Sequence, residues 1–256
     1  ILKDLFFKFR KRVIQKRLKY FYSNNNIIKE NENLFVIILP LVLPINFLPK
    51  GKIYDFFSNI NRYIAFKKLK KSINKLKVTE YIYINSFTPV YSHKDYLFPR
   101  LFVYHTVDNI HLSPYIKKHG SRLEPKMMQE SDITLTTSLM LKNKNSEYSK
   151  NIFCLPNAAD NTIFNLNRTY SKPAEISEIR NKIIIYTGHL DWRIDYELIK
   201  SIPSFHKNKT LLIIGPISLS KDKIEVMLKY DNVLVIGAKP LQELPKYLYH
   251  SDRKSV

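Results

Sequence analysis

Residues 181–188 read Asn-Lys-Ile-Ile-Ile-Tyr-Thr-Gly, and residues 189–195 continue with His-Leu-Asp-Trp-Arg-Ile-Asp. Three consecutive isoleucines, an aromatic residue and a threonine form a short apolar run, which is typical of a strand buried on both faces of a parallel sheet. Gly188 ends this predicted strand, and a helical pattern begins near Asp195. Because a helix N-terminus presents free N–H groups and a partial positive charge, this turn predicts an anion-binding site.

The same pattern of an apolar run and a glycine recurs twice, ending at Gly215 and Gly237. Strands also alternate with helices through the first half of the chain, which predicts an α/β fold with parallel sheets wound in βαβ units. We expect a buried strand at residues 34–39 and further strands at 80–85, 101–105, 133–137, 151–155, 183–186, 211–214 and 233–236. Helices are expected at residues 1–21, 59–76, 120–131, 138–144, 196–202, 221–230 and 241–250.

The alternation is interrupted at residues 169–181, which contain Pro173 and several charges but no apolar period. We interpret this stretch as a linker between an N-terminal Rossmann-like domain at residues 1–168 and a C-terminal domain at residues 182–256. Three strands and three helices are half of a doubly wound domain, which has about five or six strands, so we expect the C-terminal lobe to be incomplete. The absence of an initiator Met suggests that a segment is also missing at the front, and we expect a fragment or a truncated product.

The composition limits the kinds of partner that the chain could bind and indicates its cellular compartment. Lys and Arg number 42 against 22 acidic residues, a net charge of +20, which favours nucleic acid, phosphorylated small molecules or an anionic membrane surface. One cysteine excludes an intrachain disulfide and a cysteine-based metal site, as expected for the cytoplasm. The longest apolar stretch, residues 34–48, is interrupted by Pro40 and Pro44 and is shorter than a transmembrane helix.

Residues 1–21 form a strongly basic amphipathic pattern. Its apolar positions are Leu2, Leu5, Phe6, Phe9 and Val13, and lysines and arginines occupy most of the rest. Two interpretations stay open. The helix docks on the protein by its apolar face, or residues 1–20 bind an anionic membrane surface.

A second candidate site follows the strand at 101–105, where the sequence reads His105-Thr106-Val107-Asp108. Ligand sites of open α/β sheets lie beyond the carboxyl ends of strands, so His105 and Asp108 could transfer a proton or bind a sugar hydroxyl. Alternatively, Asp108 caps the next turn and His105 is an edge residue. The spacing of these residues and His111 matches no standard metal-ligand pattern, so no metal site is predicted.

The turn at Gly188 and His189 gains support from Arg193, since a guanidinium pairs well with a diphosphate. A lone glycine after a strand can equally serve packing alone. The chain contains only five glycines and neither a Gly-x-Gly-x-x-Gly nor a P-loop pattern, which argues against the common dinucleotide and P-loop sites. Tyr and Phe fall mainly at core positions, so no specific nucleic-acid binding is predicted.

An ordered series of segments resembles the GT-B glycosyltransferases, in particular the glycosyltransferase family 4 type that includes capsule and teichuronic-acid biosynthesis enzymes. The segments are Val-Tyr-His-Thr-Val-Asp at 103–108, Glu-Ser-Asp-Ile-Thr-Leu-Thr-Thr-Ser at 130–138, Leu-Pro-Asn-Ala-Ala-Asp at 155–160, Tyr-Thr-Gly-His-Leu at 186–190, Leu-Ile-Ile-Gly-Pro at 212–216 and Asn-Val-Leu-Val-Ile-Gly at 232–237, continuing to residue 252. These segments span residues 100–252. Residues 1–100 add only an alternation of strands and helices that is compatible with this family.

This resemblance implies two Rossmann-like lobes and a metal-independent transfer of sugar at the inner face of the membrane, in cell envelope polysaccharide biosynthesis. The nucleotide-sugar donor would be a substrate, and no cofactor is implied. The C-terminal lobe would hold it through Gly188, His189, Arg193, Gly215, Pro216, Gly237 and Lys239. The N-terminal lobe would hold a glycan or lipid-linked acceptor beside Asp108 and His105.

Two departures from the family pattern affect the expected activity. The family's Glu-rich donor motif is absent from the sequence, and its phosphate-binding Arg or Lys pair has only Arg193 as a substitute. We therefore expect this chain alone to have weak or no activity. The competing hypothesis is a non-catalytic basic α/β module that binds anionic partners, either nucleic acid or a membrane surface.

Overall fold

The structure, a computed structural model, describes residues 26–255 except Lys94 and Leu166. The basic helix expected at residues 1–21, and the membrane contact expected through residues 1–20, lie outside the described residues. The chain divides into two compact units, with the division between Asn157 and Ala158.

The first unit opens with a hairpin of β1 (Ile27–Lys29) and β2 (Phe35–Ile37), which pair antiparallel. The predicted strand at 34–39 therefore exists, but its predicted burial is wrong. Leu34 is 51% exposed, and Val36 is also exposed. In the described part of the chain, the two-stranded ladder pairs with no further strand, so its side chains lack a second layer to cover them.

The long helix α1 (Lys52–Lys75) begins well before the expected residue 59. Its buried face includes Ser58, Asn61 and Ser72, and these polar residues obscure the apolar period in the sequence. The Asn61 side chain takes the place of a backbone partner for Leu43. It accepts from the Leu43 N–H at 2.8 Å and donates to the Leu43 carbonyl at 2.9 Å. The buried polar side chain is thereby satisfied.

The rest of the first unit contains β3 (Ile82–Ser86), β4 (Leu101–Thr106), α2 (Lys117–Glu130), β5 (Ile133–Thr136), α3 (Leu139–Asn145) and β6 (Ile152–Cys154). Its strands form a four-stranded parallel sheet in the order β3-β4-β5-β6, as the alternation predicted. Ser138 caps α3 as expected, accepting from the Leu141 N–H at 3.2 Å.

Helices α1 and α2 cover the same face of this sheet. Phe102 and Tyr104 of β4 pack against Met127 and Met128 of α2. Phe66 of α1 meets the ring of Tyr83, which stacks on Phe102 in the same core. Burial of these large side chains is the main stabilising term of the first unit.

The second unit contains β7 (Lys182–Thr187), α4 (Tyr196–Phe205), β8 (Lys209–Ile214), α5 (Lys221–Leu228), β9 (Val233–Gly237), α6 (Leu244–Tyr249) and β10 (Arg253–Ser255). Its strands are parallel and lie in the order β10-β7-β8-β9. This corresponds to the 3-2-1-4 portion of a Rossmann-like sheet. The fourth strand was not predicted, because its charged sequence gives no apolar run. It pairs at the edge through its backbone, and Asp252 accepts from the Ile183 N–H at 2.9 Å.

Alternate residues of β7 enter two different cores. Ile183 and Ile185 pack with Tyr247 of α6 on one face, whereas Ile184 and Tyr186 face the core that contains Ile199 of α4. A strand buried on both faces explains the run of three isoleucines. This arrangement confirms the predicted α/β class.

The stretch expected to be a linker, residues 169–181, packs onto the second unit. Ile176 lies in the short 3-10 turn Ala174–Ile176 and is fully buried in the core that contains Tyr247. In the sequence, Ile176 and Ile179 stand among polar neighbours and give no apolar period. Among the described helices, none combines the length and apolar character needed to cross a lipid bilayer.

Candidate functional site

Three glycines lie side by side at the carboxyl edge of the second sheet. Gly188 follows β7, Gly215 follows β8, and Gly237 is the last residue of β9. The Gly188 N–H donates to the Ile214 carbonyl and the Gly215 N–H donates to the Gly237 carbonyl, both at 2.9 Å. The structure therefore brings together all three glycines that the sequence singled out.

Gly215 and Gly188 approach each other too closely for a side chain at Gly215. A Cβ atom there would lie 1.9 Å from the carbonyl oxygen of Gly188, and Gly215 has φ +145°. Only glycine fits such a contact at such an angle. The absence of side chains keeps the backbone at this edge accessible for close approach by a ligand.

The position of β7 in the sheet places this edge at a switch point of the chain. After β7 the chain builds β8 and β9 on one side, and after β9 it returns to place β10 on the other side. Open α/β sheets bind ligands at such a switch point, outside the carboxyl ends of the strands. Gly188 is the residue that leaves β7 at this point.

The loop after Gly188 is held against the loop after Gly215. The Leu190 N–H donates to the Pro216 carbonyl, and the Ser218 N–H donates to the Leu190 carbonyl, each at 2.9 Å. His189 Nε2 lies 2.7 Å from Ser218 Oγ. His189 and Pro216, both predicted site residues, are thus parts of one ordered double loop.

Arg193 is oriented by a carboxylate that the sequence reasoning missed. Asp191 accepts from Arg193 Nε at 3.0 Å, from Nη2 at 2.8 Å and from the Arg193 backbone N–H at 3.0 Å. The Asp191 side chain is 9% exposed and the Arg193 side chain is 61% exposed. The guanidinium donating to Asp191 lowers the pKa of that carboxyl, and His189 Nδ1 lies 3.6 Å from it.

Lys239, which was predicted to line the nucleotide side, forms an ion pair with Glu175. Its Nζ lies 2.5 Å from Glu175 Oε1. Donation from Lys239 lowers the pKa of Glu175 to about 2, and the same bond raises the pKa of Lys239. Lys239 therefore ties the loop after β9 to the turn that contains Ile176.

The two candidate residues of the first unit differ in environment. His105 belongs to β4, with Nδ1 3.5 Å from Ser86 Oγ and a buried Nε2 that has no hydrogen-bond partner in the described part of the chain. Asp108 is exposed beyond the strand end. Asn109, rather than Asp108, caps the 3-10 turn Ile110–Leu112, so the capping alternative for Asp108 is wrong. No described contact joins His105 to Asp108.

Glu124 is a buried acid that is linked to the Asp108 backbone through Thr106. Glu124 accepts from Thr106 Oγ1 at 2.8 Å and from Tyr104 Oη at 3.2 Å, and Thr106 Oγ1 also lies 3.3 Å from the Asp108 carbonyl. Burial raises the pKa of Glu124. Sequence reasoning missed Glu124 because the mostly polar sequence around it in α2 does not mark it as buried. Across the residues that the structure describes, no group of three or more His, Cys, Asp or Glu side chains converges as metal ligands.

Comparisons with known proteins give the fold. No protein-family profile and no curated protein matches the sequence. The crystal structure of Anabaena Alr3699/HepE in complex with UDP is similar, with TM-score 0.56 and 15% identity over 77% of this chain and 57% of that chain. The crystal structure of TarM has TM-score 0.51 and 15% identity over 75% of this chain and 39% of that chain.

A variant of S. aureus TarM in complex with fondaparinux, alpha-GlcNAc-glycerol and UDP has TM-score 0.50 and 14% identity, over 75% of this chain and 40% of that chain. This chain thus spans 57% and 39% of the length of HepE and TarM. At such identities the likeness concerns the fold. It confirms the predicted class, α/β with two Rossmann-like lobes.

Proposed function

We propose that the chain is a glycosyltransferase, or a part of one, whose second unit binds a nucleotide-sugar donor. The observation that carries this proposal is the glycine edge of β7, β8 and β9 beside the switch point of the sheet. The UDP bound to HepE, and the UDP and alpha-GlcNAc-glycerol bound to the TarM variant, support a nucleotide and a sugar as the ligand class.

In this proposal the donor diphosphate lies against the backbone at Gly188, and Arg193 neutralises its charge. Asp191 orients the guanidinium, which remains largely exposed for a phosphate oxygen. Gly215, Pro216 and Gly237 line the nucleotide side. Lys239 contributes indirectly, by holding the loop after Gly237 through Glu175.

The transfer breaks the bond between the anomeric carbon and the diphosphate oxygen, and forms a bond from that carbon to an acceptor hydroxyl. Arg193 stabilises the departing diphosphate by its positive charge, so that no metal is required. Asp108, exposed beyond β4, receives the hydroxyl proton, and His105 supports the acceptor side. The acceptor is a glycan or a lipid-linked sugar of the cell envelope, reached from the cytoplasmic face.

Nucleotide binding is the decisive test, because it examines the glycine edge directly and requires no knowledge of the acceptor. Calorimetric titration with UDP, GDP, dTDP and their sugar conjugates should detect one preferred nucleotide diphosphate. Arg193→Gln should weaken the binding of this nucleotide about tenfold or more, because one charge-assisted contact is lost. The matched control Lys207→Gln, an exposed cation of the same unit, should bind as the parent does.

Absence of binding by every nucleotide diphosphate at millimolar concentration would contradict the proposal. If the same protein then binds polyanions, the competing hypothesis of a basic binding module replaces it.

A further inference from the structure

The second half of α1 carries an unusual density of positive charge. Residues 62–77 contain seven basic residues and no Asp or Glu, and all but two of the seven are exposed. They are Arg62, Lys67, Lys68, Lys70, Lys71, Lys75 and Lys77. A single-sign run on one helix produces a strong local positive potential that attracts anionic partners.

These lysines border an apolar groove. The segment after β2 and the outer face of α1 enclose a cavity of about 300 Å³, with Leu39, Pro40 and Ile64 among its apolar walls and Lys67, Lys68 and Lys71 along it. Leu39 is 39% exposed. Leu34, Phe35 and Val36 of the adjoining hairpin are also exposed. We call this surface, from residue 34 to 40 with 63–71, the α1 groove.

We propose that the α1 groove docks the protein onto an anionic lipid surface. The lysines would meet headgroup phosphates, while the aliphatic walls and the exposed hairpin side chains would enter the boundary between headgroups and acyl chains. Apolar side chains flanked by lysines are the pattern that binds such an interface. This proposal rests on the first unit alone and is independent of donor binding in the second unit.

The groove suits lipid better than nucleic acid. Bases stack on open aromatic faces. Tyr63 is 48% exposed, but Lys67 Nζ already lies 5.0 Å from its ring centroid and 2.7 Å from its Oη. Arg62 lies over the Tyr96 ring, at 5.3 Å, and its Nη2 is 3.9 Å from Asp95. An acidic polysaccharide would use the lysines but leave the aliphatic walls exposed to water.

The first experiment measures partition of the full chain onto vesicles of phosphatidylcholine with and without phosphatidylglycerol. Changing Lys67, Lys68 and Lys71 together to Gln should lower partition onto anionic vesicles by roughly 100-fold, since each basic residue near such a surface contributes on the order of tenfold or less. The matched control changes Lys150, Lys207 and Lys229 to Gln, and should alter partition by less than about threefold. Both variants should melt at the parent temperature, because the changed side chains are solvent-accessible.

A second experiment tests insertion directly. In a Trp192→Phe background, Tyr63→Trp places the sole tryptophan at the groove. Its emission should be quenched by lipids brominated along the acyl chains. A third variant, with Lys3, Lys8 and Lys11 changed to Gln, separates the groove from the contact predicted for residues 1–20.

Three results would overturn the proposal. The groove variant could bind anionic vesicles as the parent does, with only the variant at positions 3, 8 and 11 losing affinity. The tryptophan at position 63 could remain unquenched on bound vesicles. Single-stranded nucleic acid could bind more tightly than the vesicles through the same three lysines, which would assign the groove to nucleic acid.

Discussion

Asp191 holds Arg193 through both of its carboxylate oxygens, with Arg193 Nη2 2.8 Å from Oδ2 and Nε 3.0 Å from Oδ1. The carboxylate is nearly buried, whereas the guanidinium is largely exposed. The carboxylate therefore fixes the orientation of the guanidinium, while most of the Arg193 side chain stays accessible to solvent. The pair is therefore the central element of the proposed diphosphate site.

The pair should make stability depend on pH in the acidic range. Arg193 lowers the pKa of Asp191 below its ordinary 3.8, so its contribution is fully present above pH 3.8 and is lost as pH falls through the lowered value. Asp191→Asn should lower the free energy of unfolding at pH 7 by about 1 kcal/mol, because solvent screens the exposed Arg193. Urea unfolding of both proteins from pH 7 to pH 3 should show this difference shrinking on acidification. A constant difference would contradict the assignment.

Gly215→Ala should destabilise the second unit far more than Gly237→Ala. The new Cβ at position 215 would lie 1.9 Å from the Gly188 carbonyl, which requires the backbone to move and costs about 3 kcal/mol or more. At position 237 no described atom lies within 4 Å, and only the strain of φ +74° remains, about 1 kcal/mol. Urea unfolding measures both losses, and equal losses would exclude the close approach of the two loops.

Glu124→Gln should remove a pH dependence of stability. Burial raises the pKa of Glu124 above its ordinary 4.5, so the neutral acid favours the fold. Its stabilising effect is fully present below pH 4.5 and is lost as pH rises through the raised value. The parent should therefore lose melting temperature relative to the Gln variant as pH rises from 4 to 8. Parallel melting curves at every pH would contradict a protonated Glu124.

Ile176→Ala should destabilise the second unit although the residue lies in a polar stretch. Its side chain is fully buried against the β7 and α6 core, and truncation of such a residue costs about 2–5 kcal/mol. The exposed neighbour Glu178→Ala is the control and should change stability by less than about 0.5 kcal/mol. Chemical unfolding distinguishes the two variants. A linker would tolerate both equally.

Local chemistry allowed much of the fold to be predicted. The isoleucine run of β7 has to be buried on both faces, the Ser138 hydroxyl competes for a helix N–H group, and each glycine ends a strand at the same edge. These features depend on neighbours within a few residues, so sequence alone identified the parallel α/β class and the three glycines of the candidate site.

Other features required the tertiary structure. Strand β10 pairs with β7, but its sequence is charged, so no apolar pattern marks it, and the exposure of β2 depends on which strands flank it. Lys239 meets Glu175 across 64 positions and His189 meets Ser218 across 29, so no local signal could pair them. The sequence alone predicted every parallel strand except β10, and the glycine turns that end three of these strands. Only the folded chain decided which charges neutralise each other, because Coulomb and hydrogen-bond partners are selected by distance in space and not by separation along the chain.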